Sequence, residues 1–196
     1  MGRTQSVSDE EILEAARRVI ARSGYDAFTL TEVADDVGLS RAAIILRFQS
    51  TQALKLRLTA KLADEFVTRI EALPAERGAE GLLALARFIG SHTRTRASVQ
   101  SFMQRLRTNE EDPKLAAIDN RMIAAFHGAI SARMPETALT HEAAVLAFRA
   151  HIGGSLMNWQ TEEGIEAADY LEQRTRDWLK LAHIPVLKAA RAAKRK

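Results

Sequence analysis

The sequence predicts an all-α protein, and three observations support this. Only four prolines and ten glycines occur in 196 residues, and apolar residues recur at three- and four-residue spacing along most of the chain. Several of these periodic segments begin at a serine, threonine or aspartate, whose side chain can accept a hydrogen bond from a free backbone N–H. No segment alternates apolar and polar residues over a useful strand length. About nine helices are therefore expected.

The N-terminal part is expected to hold a tri-helical domain. Apolar residues on one face predict a first helix from about Asp9 to Arg22, closed by Gly24. Thr29 and Glu32 form a capping box at the start of a second, short helix, in which each side chain accepts from a free backbone N–H. Gly38 ends that helix, because a left-handed turn is least costly at glycine.

Two serines mark the next two helix starts. Ser40 precedes a short helix from Arg41 to Phe48, and Ser50 precedes a long helix that reaches about Ala72. The polar segment from Leu73 to Gly81 is the clearest linker.

The remaining sequence predicts a larger helical domain. Asp112 as cap with Pro113 at the first helical position is a strong start signal, and Thr140 marks another. Helices are expected from Leu82 to about Arg96, Val99 to Arg107, Pro113 to Met134, Thr140 to about Gln160 and about Ile165 to His183. The predicted domains are residues 1–53, residues 54–184 and a basic tail, residues 185–196.

Bulk charge gives no argument for a nucleic-acid partner. The last nine residues carry five lysines and arginines, more than the net charge of +3, so the rest of the chain is net negative. The polar N-terminus does not resemble a signal peptide, and no apolar stretch has membrane-spanning length, so a cytoplasmic protein without membrane contact is expected.

The residue types of an enzyme site are missing from the pattern. The chain has no cysteine, and none of its five histidines has Asp, Glu or His three or four residues away, as a helical metal pair requires. Neither a Gly-rich phosphate loop nor a nucleophile elbow occurs. Asp35 and Asp36 are interpreted as cap and surface charges. We therefore expect no enzyme, no metal site and no cofactor.

The informative stretch is residues 29–54. Ala34 lets two helices cross closely, Gly38 accepts the turn, and Leu39 fills the shared core before Ser40 starts the next helix. This arrangement is a helix-turn-helix, whose second helix enters the major groove of DNA. Residues 9–56 resemble the TetR family of bacterial transcriptional regulators, in Ile12-Leu13, Ala15-Ala16, Gly24, Thr29, Val33-Ala34, Gly38-Leu39-Ser40, Ile44, Phe48, Ser50 and Leu54.

The resemblance implies a set of DNA-contacting residues. They are Thr29, Thr31, Ser40, Arg41, Ala42, Ala43, Ile45, Leu46, Arg47 and Thr51. The family usually has Gly, Tyr and Lys where this chain has Ala42, Ile45 and Thr51, which removes two phosphate contacts per subunit. Ile45 and Leu46 either touch thymine methyl groups or pack internally or against a partner, and the sequence leaves both alternatives open.

The resemblance also implies a helical effector cavity and a dimer interface in the second domain. The cavity would be lined by Phe88, His92, Phe102, Met103, Arg105, Met122, Phe126, His127, Ile130, Phe148 and His151. The interface would contain Leu146, Gly153, Leu156, Trp159, Tyr170, Trp178 and Leu181. An ordinary internal core is the competing interpretation of both sets.

The sequence thus predicts a ligand-responsive regulator, a repressor that a small molecule releases from its operator. Its expected partners are double-stranded operator DNA, a small hydrophobic effector and a second copy of the chain. The alternative is a TetR-like helical protein with weakened operator binding that serves as a ligand- or protein-binding module.

Overall fold

The structure is a computed structural model that describes residues 7–25, 27–93, 95–108 and 112–184, with the backbone alone at residues 101 and 104–108. Every regular element in these ranges is a helix, so the all-α prediction is confirmed. The nine helices are α1 (Asp9–Ser23), α2 (Leu30–Val37), α3 (Arg41–Phe48), α4 (Thr51–Glu71), α5 (Ala79–His92), α6 (Arg96–Thr108), α7 (Pro113–Arg133), α8 (His141–Trp159) and α9 (Ala167–Leu181). None of the described helices is long and apolar enough to cross a membrane.

The caps read from the sequence lie where they were expected. The Thr29 hydroxyl accepts from the Glu32 backbone N–H at 3.2 Å, and the Glu32 carboxylate accepts from the Thr29 backbone N–H at 2.8 Å. Gly38 closes α2 with a φ of 68°, in the left-handed region that favours glycine. The Ser40 hydroxyl accepts from the Ala43 N–H at 3.1 Å and starts α3.

The later helix starts follow the same rule. Asp112 accepts from the backbone N–H groups of Lys114 and Leu115 at 3.0 and 3.3 Å, and the Thr140 hydroxyl accepts from Ala143 N–H at 3.3 Å. Each of these bonds satisfies a backbone donor that has no partner inside its own helix.

The chain divides into two compact units, and the first contains α1, α2, α3, α4 as far as Phe66, α6, and α7 as far as Met122. In this unit, α1, α2 and α3 surround an apolar core that the first turns of α4 complete. Its large buried side chains are Ile12, Leu13, Val19, Phe28, Leu30, Val33, Ile44, Phe48, Leu54 and Leu58. This core fixes which face of α3 points outwards.

The second unit contains the end of α4, α5, the rest of α7, α8 and α9. α5 and α9 touch closely at Gly90, where an added Cβ would lie 2.4 Å from the Ala168 Cα. Phe148 and Ile152 of α8 and Leu171 of α9 are fully buried in this unit.

The predicted linker was drawn three residues too long, because α5 begins at Ala79 and contains Gly81. An added Cβ at Gly81 would lie 1.7 Å from the carbonyl oxygen of Glu76, so this glycine serves a close approach and does not break the helix. The helix also ends earlier than predicted, at His92, and α6 begins at Arg96 in place of Val99. The Thr95 and Ser98 side chains cap each other's backbone N–H groups there, each at 3.1 Å.

Candidate nucleic-acid interface

The outer face of α3 is exposed, as a helix that enters a DNA groove requires. Ile44 and Phe48 turn into the core of the first unit, whereas Arg41, Ala42 and Leu46 are exposed. The caps at both ends of α2 and at the start of α3 hold this orientation, because they fix where each helix begins and ends.

Ile45 and Leu46 have different surroundings, although the sequence analysis gave both residues the same two alternatives. Ile45 is half-buried and packs against the core of the first unit, whereas the Leu46 residue is 85% exposed. Internal packing therefore describes Ile45 and not Leu46. Leu46 is a large apolar side chain in water on the helix that carries the family resemblance.

The two arginines of α3 also differ. Arg41 is exposed and makes no hydrogen bond or ion pair with the described residues. The Arg47 guanidinium donates to the Val7 carbonyl oxygen and lies 3.7 Å from an Asp9 carboxylate oxygen. Arg41 is thus available to a phosphate or a base, while Arg47 is held at the start of α1.

Acidic residues in the first turn of α1 bind basic residues of α4, a pairing that the sequence analysis missed. Asp9 lies 2.9 Å from the Arg57 guanidinium, and Lys61 lies 2.6 Å from Glu10 and 2.5 Å from Glu65. The hydrogen bonds that the Lys61 ammonium donates to these two glutamates raise the pKa of Lys61. The contacts of Asp9 and Glu10 connect residues about fifty positions apart, so no local spacing reveals them.

The other predicted DNA-contacting residues differ in exposure. Thr29 and Ser40 are exposed caps, Thr31 is exposed on α2, and Ala43 and Thr51 are half-buried at the starts of α3 and α4. The sequence analysis missed Gln49, which is exposed directly after α3 and has a φ of 68°. A positive φ is uncommon at a residue other than glycine, and no sequence rule predicts it at this glutamine.

Asp36 ties α2 to α1 and is more than the surface charge expected from the sequence. Its carboxylate accepts from the Arg18 Nε at 3.0 Å and from the Arg22 guanidinium at 2.8 Å. Hydrogen bonds from Arg22 and Arg18 lower the pKa of Asp36. Both partners lie on α1, so the pair fixes the angle between α1 and α2.

The predicted effector residues are divided between the two units. Phe102, Met103 and Met122 are half-buried in the first unit, and the Arg105 side chain lies outside the described residues. In the second unit, Phe88, Ile130 and Phe148 are buried, and His92, Phe126, His127 and His151 are half-buried.

Two of the histidines in the second unit stack on aromatic rings. His92 stacks on Phe88 with ring centroids 6.1 Å apart. His151 stacks on Trp178 at 5.7 Å, and its Nε2 lies 3.4 Å from the Thr175 hydroxyl. Burial, with a smaller contribution from Arg174, lowers the pKa of His151. A neutral, half-buried imidazole can both pack against an apolar molecule and exchange a hydrogen bond with it.

For two of the predicted interface residues the structure favours an internal core. Trp159 and Tyr170 are buried within the second unit, and the Trp159 indole N–H donates to the Ile165 carbonyl at 2.9 Å. Trp178 is half-buried and meets the Phe148 ring edge-on at 5.1 Å. These rings fill the space between α8 and α9 of the same chain.

The other predicted interface residues lie on the surface or are half-buried. Leu146 and Leu181 are exposed, and Gly153 and Leu156 are half-buried. An added Cβ at Gly153 would meet nothing within 4 Å, so no close helix within the chain explains this glycine. Among the described residues, no group of three or more His, Cys, Asp or Glu side chains is placed to hold a metal ion.

Comparison with known proteins gives the same family that the motif suggested. Residues 12–58 match the model of bacterial regulatory proteins of the tetR family. The HTH-type transcriptional regulator YfiR of Bacillus subtilis is 34% identical over 61 residues, which cover 31% of this chain and 30% of YfiR. The HTH-type transcriptional repressor AcnR of Corynebacterium diphtheriae is 38% identical over 73 residues, or 37% and 36% of the two chains. The matched segments thus span about a third of each relative.

Solved structures of regulators share the fold over most of the chain. A transcriptional regulator from Rhodococcus sp. Rha1 has a TM-score of 0.73 at 18% identity, over 93% of this chain and all of that one. A putative regulator from Saccharomonospora viridis in complex with choline has a TM-score of 0.67 at 22% identity, over 89% and 96%. FadR of Bacillus subtilis in complex with stearoyl-CoA has a TM-score of 0.63 at 15% identity, over 86% and 96%. The fold is therefore confirmed over most of the chain, and the family resemblance is confirmed for residues 12–58.

Proposed function

We propose that this chain, whose N-terminal domain is that of the bacterial tetR family of regulatory proteins, is a ligand-responsive transcriptional repressor. The observation that carries the proposal is the outer face of α3, which is exposed on a capped helix-turn-helix inside the matched segment. A helix of this kind docks with its exposed face in the major groove of DNA.

Operator binding would use both ends of α3 and its flanks. Arg41 is free to meet a phosphate or a base edge, and the exposed Thr29, Thr31 and Ser40 side chains stand at or near helix starts, where phosphates are favoured. Contacts of this kind supply affinity that does not depend on sequence, while side chains inside the groove supply specificity.

The regulator would act as a two-fold dimer. Regulators of this type read two half-sites about 34–36 Å apart, which a symmetric dimer matches. The exposed side of α8, with Leu146, Gly153 and Met157, supports an interface there, because two glycine-containing helices can approach closely.

The second unit would hold a small, mainly apolar effector. Phe88, Ile130 and Phe148 supply apolar surface, and His92 and His151 supply polar atoms. The solved regulators with stearoyl-CoA and choline support a ligand-binding role for a chain of this fold. To release DNA, the effector must bind the released state more tightly than the DNA-bound state by a few kcal/mol.

The test is selection of bound duplexes from a random pool with the full chain, at low ionic strength. We expect enrichment of a two-fold symmetric site, and we expect footprinting to place such a site in the DNA that flanks the chain's own gene. Addition of stearoyl-CoA, choline or proflavin to the complex then screens three effector chemistries by the change in operator affinity. A pool that returns no enriched sequence would rule out the regulator.

A second candidate function is a ligand- or protein-binding module that has lost its operator. The observation in its favour is that Arg47 is bound by Val7 and Asp9, while Ile45 and Thr51 offer no charge to phosphate. The same selection separates the two functions, because the module predicts no enriched duplex.

A further inference from the structure

We propose that Leu46, together with Ala42, reads the C5 methyl groups of thymines in the operator's major groove. The inference rests on the proposed function and adds a chemical identity for the bases at the centre of each half-site. Its basis is that Ile45 and Leu46, which the sequence could not tell apart, face in different directions.

The exposure of Leu46 is built into the fold. Ile44 and Phe48, four residues apart, anchor α3 in the core on one side, and Ile45 packs against the same core. Leu46 therefore stands on the other side, and rotation of this eight-residue helix to cover it would expose two fully or nearly fully buried side chains. The Leu46 residue is 85% exposed, so its apolar side chain is available to a partner outside the subunit.

Ala42 extends the same surface by one helical turn. Residues four apart on a helix lie one above the other, and Ala42 is exposed like Leu46. Neither side chain has a polar atom, so this strip can form no hydrogen bond with a base edge. In the major groove the apolar group that a base presents is the C5 methyl of thymine, and alanine and other apolar side chains contact it.

The two arginines beside this apolar strip differ in their availability to DNA. Arg41, beside Ala42, makes no ion pair with the described residues, whereas Arg47, beside Leu46, is held by Val7 and Asp9. Arg41 is therefore the positive group of α3 that can meet a phosphate or a guanine. The middle of the helix is left to apolar contact.

The experiment removes single methyl groups from the DNA. Thymines of the selected duplex are replaced by deoxyuridine, one symmetric pair at a time, and the affinity is measured by fluorescence anisotropy with the full chain. Deoxyuridine keeps the base pair and its hydrogen bonds and lacks only the methyl group. We expect one or two positions at which the substitution weakens binding by about fourfold per half-site, the factor for losing burial of one methyl-sized group.

The protein side of the test is Leu46→Ala, with Leu139→Ala as the matched control. Leu139 is also an exposed leucine, at 57%, and lies outside the helices in the segment before α8. At the position that Leu46 contacts, the Leu46→Ala protein should bind the thymine and deoxyuridine duplexes with affinities within roughly twofold of each other, since the shorter side chain no longer reaches the methyl group. A position that Ala42 contacts should keep its difference. The control should keep the full difference. Circular dichroism of both variants verifies that their helices are intact.

Three outcomes overturn the inference. Binding of a selected duplex that is indifferent to every deoxyuridine substitution contradicts it, and so does a methyl effect that persists in Leu46→Ala at every sensitive position. Both leave the proposed function standing, because DNA is still bound. Absence of any enriched duplex overturns the proposed function as well, and this is a separate readout.

Discussion

At the scale of single residues, ion pairs within the first unit determine which basic side chains are available to a DNA phosphate. Arg41 is free within the described chain, while Arg47, Arg57 and Lys61 are engaged by the acidic first turn of α1. These three side chains therefore join α3 and α4 to the start of α1 by ion pairs.

Asp36 is the residue for which the structure predicts the clearest effect on stability. Asp36→Asn removes the carboxylate that both Arg18 and Arg22 bind, and it should lower the midpoint of thermal unfolding at neutral pH by a few degrees. Asp35→Asn is the matched control, since Asp35 is exposed and has no ion pair with the described residues. Equal midpoints for the two variants would contradict the pairing.

The effect of Asp36 should depend on pH in a definite direction. Its arginine partners lower the pKa of Asp36 below the usual 3.8, so the stabilisation is complete above that value and disappears as the pH falls through the folded-state pKa. The difference in midpoint between the native chain and Asp36→Asn should thus be constant near neutrality and shrink below about pH 4. A difference that grew on acidification would exclude this origin.

At the scale of elements, close approach of α5 and α9 depends on one glycine. The Cβ of an alanine at Gly90 would lie 2.4 Å from the Ala168 Cα, a backbone atom that cannot swing away. Arg87, three residues earlier, binds Asp169 at 3.2 Å and also contacts Glu172. The two helices are therefore held at a distance that only glycine permits.

Gly90→Ala should destabilise the chain by about 1–3 kcal/mol, the usual cost of overpacking. Urea unfolding followed by circular dichroism measures it. Gly128→Ala is the control, because Gly128 lies inside α7 and an added Cβ there meets nothing within 4 Å. That change should stabilise by up to about 1 kcal/mol through helix propensity. A stabilised Gly90→Ala protein would refute the close approach.

The same contrast shows what the sequence could and could not predict about the fold. Thr29, Ser40 and Thr140 act within four residues of themselves, so the starts of α2, α3 and α8 were predicted correctly. Gly81 and Gly90 act through Glu76 and Ala168. Local sequence patterns therefore placed Gly81 in a linker. They also contain no information about the helix that packs against Gly90.

The candidate site was predictable to a similar extent. Spacing located α3, because a helix-turn-helix has a short and regular geometry. The rotation of α3 decides that Ile45 is half-buried and Leu46 is exposed, and the packed core sets this rotation. The attachment of Arg47 to Val7 spans forty residues and was likewise out of reach of the sequence.

At the scale of the whole molecule, one side of α8 exposes apolar residues to solvent. Leu146 and Met157 are exposed large apolar residues on it, and Gly153 has open space where a side chain would stand. Trp159, by contrast, is buried in its own subunit. If the chain forms a dimer through α8, small and aliphatic residues make the contact. The tryptophans then pack inside each subunit and do not touch the partner.

Leu146→Glu tests the dimer. A two-fold interface would receive two unpaired charges, and we expect the dimer dissociation constant to rise by about 100-fold, or roughly 3 kcal/mol. Sedimentation velocity at several concentrations measures this rise, and Leu139→Glu provides a control at an exposed leucine outside α8. Unchanged sedimentation of Leu146→Glu would show that α8 is not the interface.

The hydrogen bonds of Arg133 determine where a peptide tag can be inserted without destabilising the fold. Although almost fully buried, it donates to the carbonyls of Ala129, Leu73 and Pro74 at 2.7–2.8 Å, and its own carbonyl accepts from Gly78 N–H at 2.8 Å. A peptide tag or fluorescent label spliced between α4 and α5 would pull these carbonyls away and strand a buried cation. The segment from Thr137 to Leu139 makes side-chain hydrogen bonds only within itself among the described residues, so it is the better point of attachment for a reporter.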